Sequence, residues 1–500
     1  MPSSPLHDWV FAALDRGAIV LTANHRAARS LSIAHAHRMA AQGLALWQPP
    51  AIQAWDAWTE SLWKRILVTG ADDRILLDSA QEQQLWQQLI ESDKRLQTLR
   101  SSASLAQLAA SAWARLAAYN CFESKGFSAL ASLFLVSEDT QSFARWAQAF
   151  EDLCRKQRFL PAAQIDSELR AAIQRRALAL DFSEISLCGF DRSTPAQNAL
   201  RAALAAAGIT LTESTDAYPA PAITIHSAPD PATELAHAAR TIAAWHAQNP
   251  ADRIALIVPD LRANRDTIER ALLATLSPHL DTAGPVSPRP FELSLGRTLD
   301  RLPMVRNALS MLRLCAEPLP IAEAGALLRS PYLAGAQSEC LARAAWEADR
   351  LRRAHLLRPE ISLDWILNQQ ALPPILKSRL SALRDAARAR TTRRLAPYSE
   401  WMETVRELLE AAGWPAAGAD DRPLTSTEFQ LEQRFHKMLD GLATLDLTAR
   451  PVTFTAALET LHAAAQSMLF APQSLDAPIQ VLGAAESAGS TFEYQGCAKS

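Results

Sequence analysis

The sequence predicts an α/β protein with large all-helical insertions, helix-rich overall, and three observations lead there. Short apolar runs, each followed by a polar turn and a segment of helical spacing, mark buried parallel strands with their crossover helices. Two long stretches between these units carry only three- and four-residue apolar spacing. The strand–turn–helix plan occurs twice, and each occurrence is interrupted by one of those stretches. At 500 residues, 49% of them apolar, the chain is long enough for two or more domains.

The first unit is Gly17–Leu31. Ala18-Ile19-Val20-Leu21 is a buried-strand run, and Arg26 to Met39 continues with Ala27, Leu31 and Ala34 on one helical face. The turn between them, Thr22-Ala23-Asn24-His25-Arg26, sits where a phosphate loop would sit. Such a loop needs glycines, so that backbone N–H groups can close on phosphate, and a Lys-Ser/Thr pair for the terminal phosphates and Mg²⁺. Neither is present. An ordinary turn with Asn24 as helix cap and Arg26 and Arg29 as solvated first-turn residues is the alternative.

After Pro49-Pro50, Ala51-Ile52-Gln53 reads as a second strand, and Trp55, Trp58 and Leu62 share a helix face that suits a core better than a base-stacking platform. From Asp72 to Arg176 the pattern is helical throughout, around Leu85, Trp86 and Leu89, then Leu105, Leu108 and Trp113, then Phe143, Trp146 and Phe150. Arg155, Lys156 and Arg158 there read as a solvated helix end. Ile185-Ser186-Leu187-Cys188 returns to strand. Thr194 caps and Pro195 opens the helix that follows, which stops at Gly208. Asp191 lies just past a strand's carboxyl end, the edge where open α/β sheets bind ligands, or it satisfies its own turn.

A second α/β segment begins with a strand at Ala222–His226 and a helix starting at Asp230. Arg253–Pro259 is the strongest buried-strand signal, and a helix over Asn264–Leu276 follows. Ser277–Pro290 is a loop or boundary. Leu299 to Leu469 is helical again, with arginine-rich runs at Asp349–Arg358 and Arg384–Arg394, the latter including Arg388, Arg390, Arg393 and Arg394. Ile479–Gly483 reads as the final strand. The division expected is therefore a first lobe at 1–70 and 179–212, split by a helical insertion at 71–178, and a second lobe at 213–290 and 476–500, split by a larger insertion at 291–475.

A net charge of −3 gives no global attraction to nucleic acid or anionic membrane, so any such contact must come from a local groove. Cys121, Cys154, Cys188, Cys315, Cys340 and Cys497 are scattered, with no C-x-x-C pair and no histidine at ligand spacing, which predicts reduced thiols and no metal site. The amino terminus lacks a secretory pattern, and no run approaches the roughly 18 apolar residues of a membrane span. A cytoplasmic protein with no membrane partner is the expectation.

The set Leu21–Arg29, Gly189-Phe190-Asp191 with Thr194–Gln197, Arg253–Leu261, Leu293–Gly296, Leu328-Arg329-Ser330-Pro331-Tyr332, and Ile479–Gly483 with Glu486 and Ala488-Gly489 resembles the AddB-like "probable DNA repair protein" group. Members of that group have a superfamily 1 helicase-like body of two RecA-like, P-loop-type lobes and a C-terminal PD-(D/E)XK nuclease, in the manner of exonuclease V. The resemblance implies DNA repair or recombination, with single-stranded DNA or duplex ends and a helicase-nuclease subunit as partners, and ATP and Mg²⁺ as the family's cofactors. It also implies that Asn24, Arg26, Arg29, Arg329, Ser330, Glu486 and Gly489 face DNA or nucleotide. The degenerate loop Thr22-Ala23-Asn24-His25-Arg26, with only Asp191 as a strand-end acid, predicts no catalytic residue and no cofactor in this chain. The polar tail after Phe492 holds no cluster of acids with a lysine of the kind the nuclease needs, as expected of a truncated product. A DNA-binding scaffold without ATPase or nuclease activity is thus the leading expectation. An ATP-dependent helicase subunit with a divergent loop, and a helical protein-interaction scaffold, are the alternatives.

Overall fold

The computed structural model describes residues 5–93, 102–122, 126–134, 136–214, 222–277, 290–354, 358–391, 395–416, 421–471, 477–484, 486–487, 492 and 494–497. It is helix-rich with small parallel sheets, and the chain divides into two compact units, Met1–Leu295 with Ser474–Ser500, and Gly296–Gln473. Among the described residues no helix is long and apolar enough to cross a membrane.

The first unit holds two four-stranded sheets, each wholly parallel. In the first, the order is Ile52–Ala54, Ile19–Thr22, Glu184–Cys188, Thr210–Glu213, with Val20 opposite Ile52 and Ser186, and Ile185 opposite Leu211. Strand side chains alternate between faces, so Val20 and Cys188 pack with helices Pro5–Asp15 and His25–Ala41. Leu21, Ile185 and Leu187 pack on the opposite face with helices Trp55–Thr69, Ile165–Gln174 and Pro195–Ala206. Trp55, Trp58 and Leu62 are buried there, so the tryptophan stripe is core. Helix Pro195–Ala206 starts as its sequence requires, with a reciprocal Thr194/Gln197 capping box and proline in the first turn.

Helices Ser79–Glu91, Ser102–Ala118 and Glu138–Gln157 bury Trp86, Trp113, Phe127 and Phe150 in a separate core. Two details of this block differ from expectation. A short parallel pair, Ile75–Leu76 with Phe159–Leu160, interrupts the helical run. Leu108 is 66% exposed, because its helix buries the face that carries Ala106, Ala109, Trp113 and Ala117. Arg155 and Arg158 sit at a helix end, paired with Glu151 and Asp152 and with Asp73 respectively.

The second sheet runs Tyr494–Cys497, Ile254–Ile257, Ile479–Leu482, Phe291–Leu293, all parallel. Helices Pro231–Gln248 and Leu261–Leu276 cover the face carrying Ile254, Leu256, Phe291, Ile479 and Val481. Three corrections follow. Ala222–His226 is irregular rather than a strand, with Ile225 90% exposed, since its alternation meets no sheet edge among the described residues. Phe291–Leu293, assigned from sequence to the helical insertion, is a sheet strand. Ile479–Leu482 is not the last strand, because Tyr494–Cys497 pairs with Ile254–Ile257 beyond it.

The second unit is organised around helix Pro303–Ala316, buried along most of its length among helices Ile321–Leu328, Pro374–Arg390, Tyr398–Ala412 and Phe454–Ser467. Arg343 and Glu339 form a buried ion pair. Glu339 also accepts the N–H groups of Ile375, at 2.6 Å, and Leu376, at 3.0 Å, where helix Pro374–Arg390 begins, a favourable place for a carboxylate. The ends of the unit are joined by an antiparallel pair, Arg297–Thr298 with Leu469–Phe470. The arginines read as wetted faces are largely ion-paired, Arg353 with Asp349, Arg388 with Asp364 and Arg390 with Glu407. Arg393 and Arg394 lie outside the described residues.

Candidate functional site

The turn after the first strand closes on itself. Thr22 is fully buried and its hydroxyl donates to the Asn24 carbonyl at 2.8 Å. The Ala23 N–H extends the sheet ladder to the Cys188 carbonyl at 3.3 Å. The Asn24 carboxamide caps helix His25–Ala41 by accepting the Ala27 N–H at 2.8 Å, which is the role the alternative reading gave it. His25 points outward to an exposed contact with Asp56 at 2.9 Å. The Thr22 hydroxyl, the Ala23 N–H and the Asn24 carboxamide are thus engaged within the fold, and the turn carries no glycine.

Arg26 leaves the turn in another direction. Its guanidinium donates to the Gln480 side-chain oxygen at 3.0 Å, joining the helix after the first strand to a strand of the second sheet. Burial pulls the pKa of Arg26 below the usual arginine value. Glu292 and Glu486 oppose that shift, while Arg29 and Arg253 add to it. Arg29 itself is exposed.

Glu486 accepts the Ser294 hydroxyl and, at 3.1 Å, the Gly483 N–H. One carboxylate thus ties the carboxyl ends of neighbouring strands Phe291–Leu293 and Ile479–Leu482. Gly489 lies outside the described residues. The structure therefore brings Arg26 and Glu486 into one electrostatic neighbourhood and gives each an internal partner.

Asp191 is exposed in a bend beyond strand Glu184–Cys188. Beside it lies a cluster that residue spacing did not reveal. Phe190 meets Trp55 edge-on at 5.8 Å, and the Arg201 guanidinium lies 4.6 Å from the Phe190 ring centre. The Trp55 indole N–H donates to Asp166 at 3.0 Å. Burial raises the Asp166 pKa, against the Trp55 hydrogen bond and the charge of Arg201. The available signal was Trp55 itself, an indole placed at the first turn of a helix directly after a strand.

Arg329 and Ser330 belong to the second unit, at the end of helix Ile321–Leu328. Arg329 donates to the Gly325 carbonyl at 3.2 Å and lies 3.7 Å from Glu347. The Ser330 hydroxyl accepts the Tyr332 N–H at 3.2 Å. Both line a cavity of about 840 Å³. Among the described residues there is no group of three or more His, Cys, Asp or Glu able to hold a metal ion. No protein-family model matches the chain, and no curated protein matches it.

Proposed function

We propose that this protein is a DNA repair or recombination factor, a helicase-like, DNA-binding scaffold of the AddB type whose two sheets derive from RecA-like lobes, working in the cytoplasm beside a helicase-nuclease partner subunit. In this reading the chain binds DNA and leaves ATP hydrolysis and cleavage to other polypeptides. The observation that carries it is the turn at Thr22–Arg26, which keeps the position of a phosphate loop between a buried parallel strand and its helix. Its Asn24 carboxamide caps that helix, and its arginine is bonded to Gln480. DNA contacts on this view come from arginines on local surfaces, as an overall charge of −3 requires.

Titration of the full chain with single-stranded and blunt duplex DNA across a salt series tests the reading. A steep loss of affinity with rising salt is expected, because phosphate contacts release counterions. Affinity that is undetectable even at low salt would sink it in favour of a protein-interaction scaffold. Mg·ATP binding that disappears when residues 22–26 are replaced would instead make the chain a motor.

A further inference from the structure

The second sheet ends in an open edge. Its outermost strand, Tyr494–Cys497, is paired on one side only, with Ile254–Ile257. The Tyr494 N–H donates to the Arg253 carbonyl, so by the alternation of a parallel ladder Tyr494 and Gly496 direct their backbone groups inward, while Gln495 and Cys497 direct theirs outward. No strand meets that outer side among the described residues. An edge of this kind is a template for a further strand.

A segment with the matching deficit lies in the same unit. Ala222-Ile223-Thr224-Ile225-His226 alternates, carries three β-branched residues in succession, and forms no backbone hydrogen bond among the described residues. Ile223 is 79% and Ile225 90% exposed, whereas isoleucine is among the residues most often buried.

Helix Pro231–Gln248 connects the two features. Its Leu235, Ala239 and Ile242 pack with Ile254 and Leu256, and near its end Trp245 stacks on Tyr494 at 5.0 Å. The end of the helix therefore lies over the starts of the strands, and its first turn toward their carboxyl ends. A strand that enters that turn through residues 227–230 runs parallel to Ile254–Ile257, as every member of this sheet does. Consecutive strand, helix and strand of this kind ordinarily share a sheet.

We infer that Ala222–His226 is a docking strand, which adds in parallel to the outer side of Tyr494–Cys497 as a fifth strand and gives the sheet a second, closed state. The outward N–H and C=O groups of Gln495 and Cys497 pair with those of the segment. Docking with Ile223 and Ile225 toward the helix lays them beside Trp245 and Tyr494, the partly buried margin of the apolar cluster. Alternation then turns His226 to the other face, away from His237, whose ring it meets at 4.6 Å in the open state. That ring contact is the latch of the open state. The exchange involves no nucleic acid, so it stands apart from the DNA-binding reading.

Hydrogen exchange of the full chain, read by mass spectrometry on peptides covering 222–229 and 254–257, tests the closed state. The amides of 223–226 are expected to exchange about tenfold more slowly than in an isolated peptide of residues 222–229, which is a closed state favoured about ten to one. Ile225→Lys, at an exposed position, is expected to restore the free-peptide rate while Ile254–Ile257 keeps its protection. Gln495→Pro removes an outward N–H and spares the inward ladder, with the same expected loss. His226→Ala, which removes the latch, is expected to slow exchange further. If Gln495→Pro strips protection from Ile254–Ile257 as well, the edge itself is lost and Ile225→Lys carries the test. Exchange of 223–226 at the free-peptide rate in the unaltered chain overturns the docking strand. So does protection that Ile225→Lys leaves unchanged, or that appears only as protein concentration rises, which would assign the edge to a second copy of the chain.

Discussion

The two parallel sheets solve the same burial problem differently. The first has helices on both faces, so adjacent strand residues such as Val20 and Leu21 are both apolar and both buried. The second has helices Pro231–Gln248 and Leu261–Leu276 on one face, while the apolar cluster on the other consists of Ala255, Ile257 and Leu482 with Phe492. On that second face, Gln480 stands opposite Ala255 and Glu292, is buried, and accepts from Arg26. A polar strand residue is tolerated there because a guanidinium satisfies it. The lesson is that the second sheet combines a hydrophobic core on one side with a charge-assisted polar contact on the other.

Substitutions on the two sides should separate these contributions. Ile479→Ala, on the helix-covered face, should cost about 2–5 kcal/mol in urea unfolding, as should Leu187→Ala in the first sheet. A loss much below this range at Ile479 would mean that the second sheet is not packed as a core. Gln480→Leu removes the acceptor of a half-buried guanidinium and should cost about 1–3 kcal/mol, most of it recovered when Arg26→Met is added. Strictly additive losses in that double-mutant cycle would show that the two residues are uncoupled.

The first sheet makes its own prediction at Asp166. Burial raises its folded-state pKa, so between the unfolded value near 4 and the higher folded value the native state binds the extra proton. Stability from this group is therefore present at low pH and lost as pH rises through that window. Asp166→Asn should flatten the dependence, and an unchanged slope of stability against pH would remove the buried carboxyl from the account. At the turn, Asn24→Ala should cost about 1 kcal/mol through loss of the cap, with Asn24→Ser retaining most of it. His25→Ala, at an exposed contact, should leave the unfolding midpoint in place.

Sequence pattern was most informative where one segment carried its own signal. The four buried residues Ile254–Ile257, the capping box at Thr194 and the cap at Asp230 all lie where local chemistry places them. Phe291–Leu293 escaped notice because three residues with a glutamate between two apolar side chains are too short for a periodicity. Tyr494–Cys497 escaped because an edge strand carrying Gln495 and Gly496 needs little hydrophobicity. Ala222–His226 failed in the opposite direction, having alternation without a neighbouring strand among the described residues. The partner of Arg26 was beyond the reach of spacing altogether, since Gln480 follows the whole inserted segment.

The antiparallel contact between Arg297–Thr298 and Leu469–Phe470 has a consequence for assembly. Phe291–Leu293 and Ile479–Leu482 are adjacent in their sheet, yet residues 296–473 intervene, so bringing them together carries a large loop-closure entropy. A neck already zipped shut hands the sheet two ends in proximity, converting one long closure into a short one. Gly296 allows that neck to form, because a Cβ at this position would collide with the Phe470 carbonyl. The inserted helices would then mature first during refolding and the second sheet last. Gly296→Ala would slow sheet formation while leaving the first sheet's hydrogen-exchange protection in place.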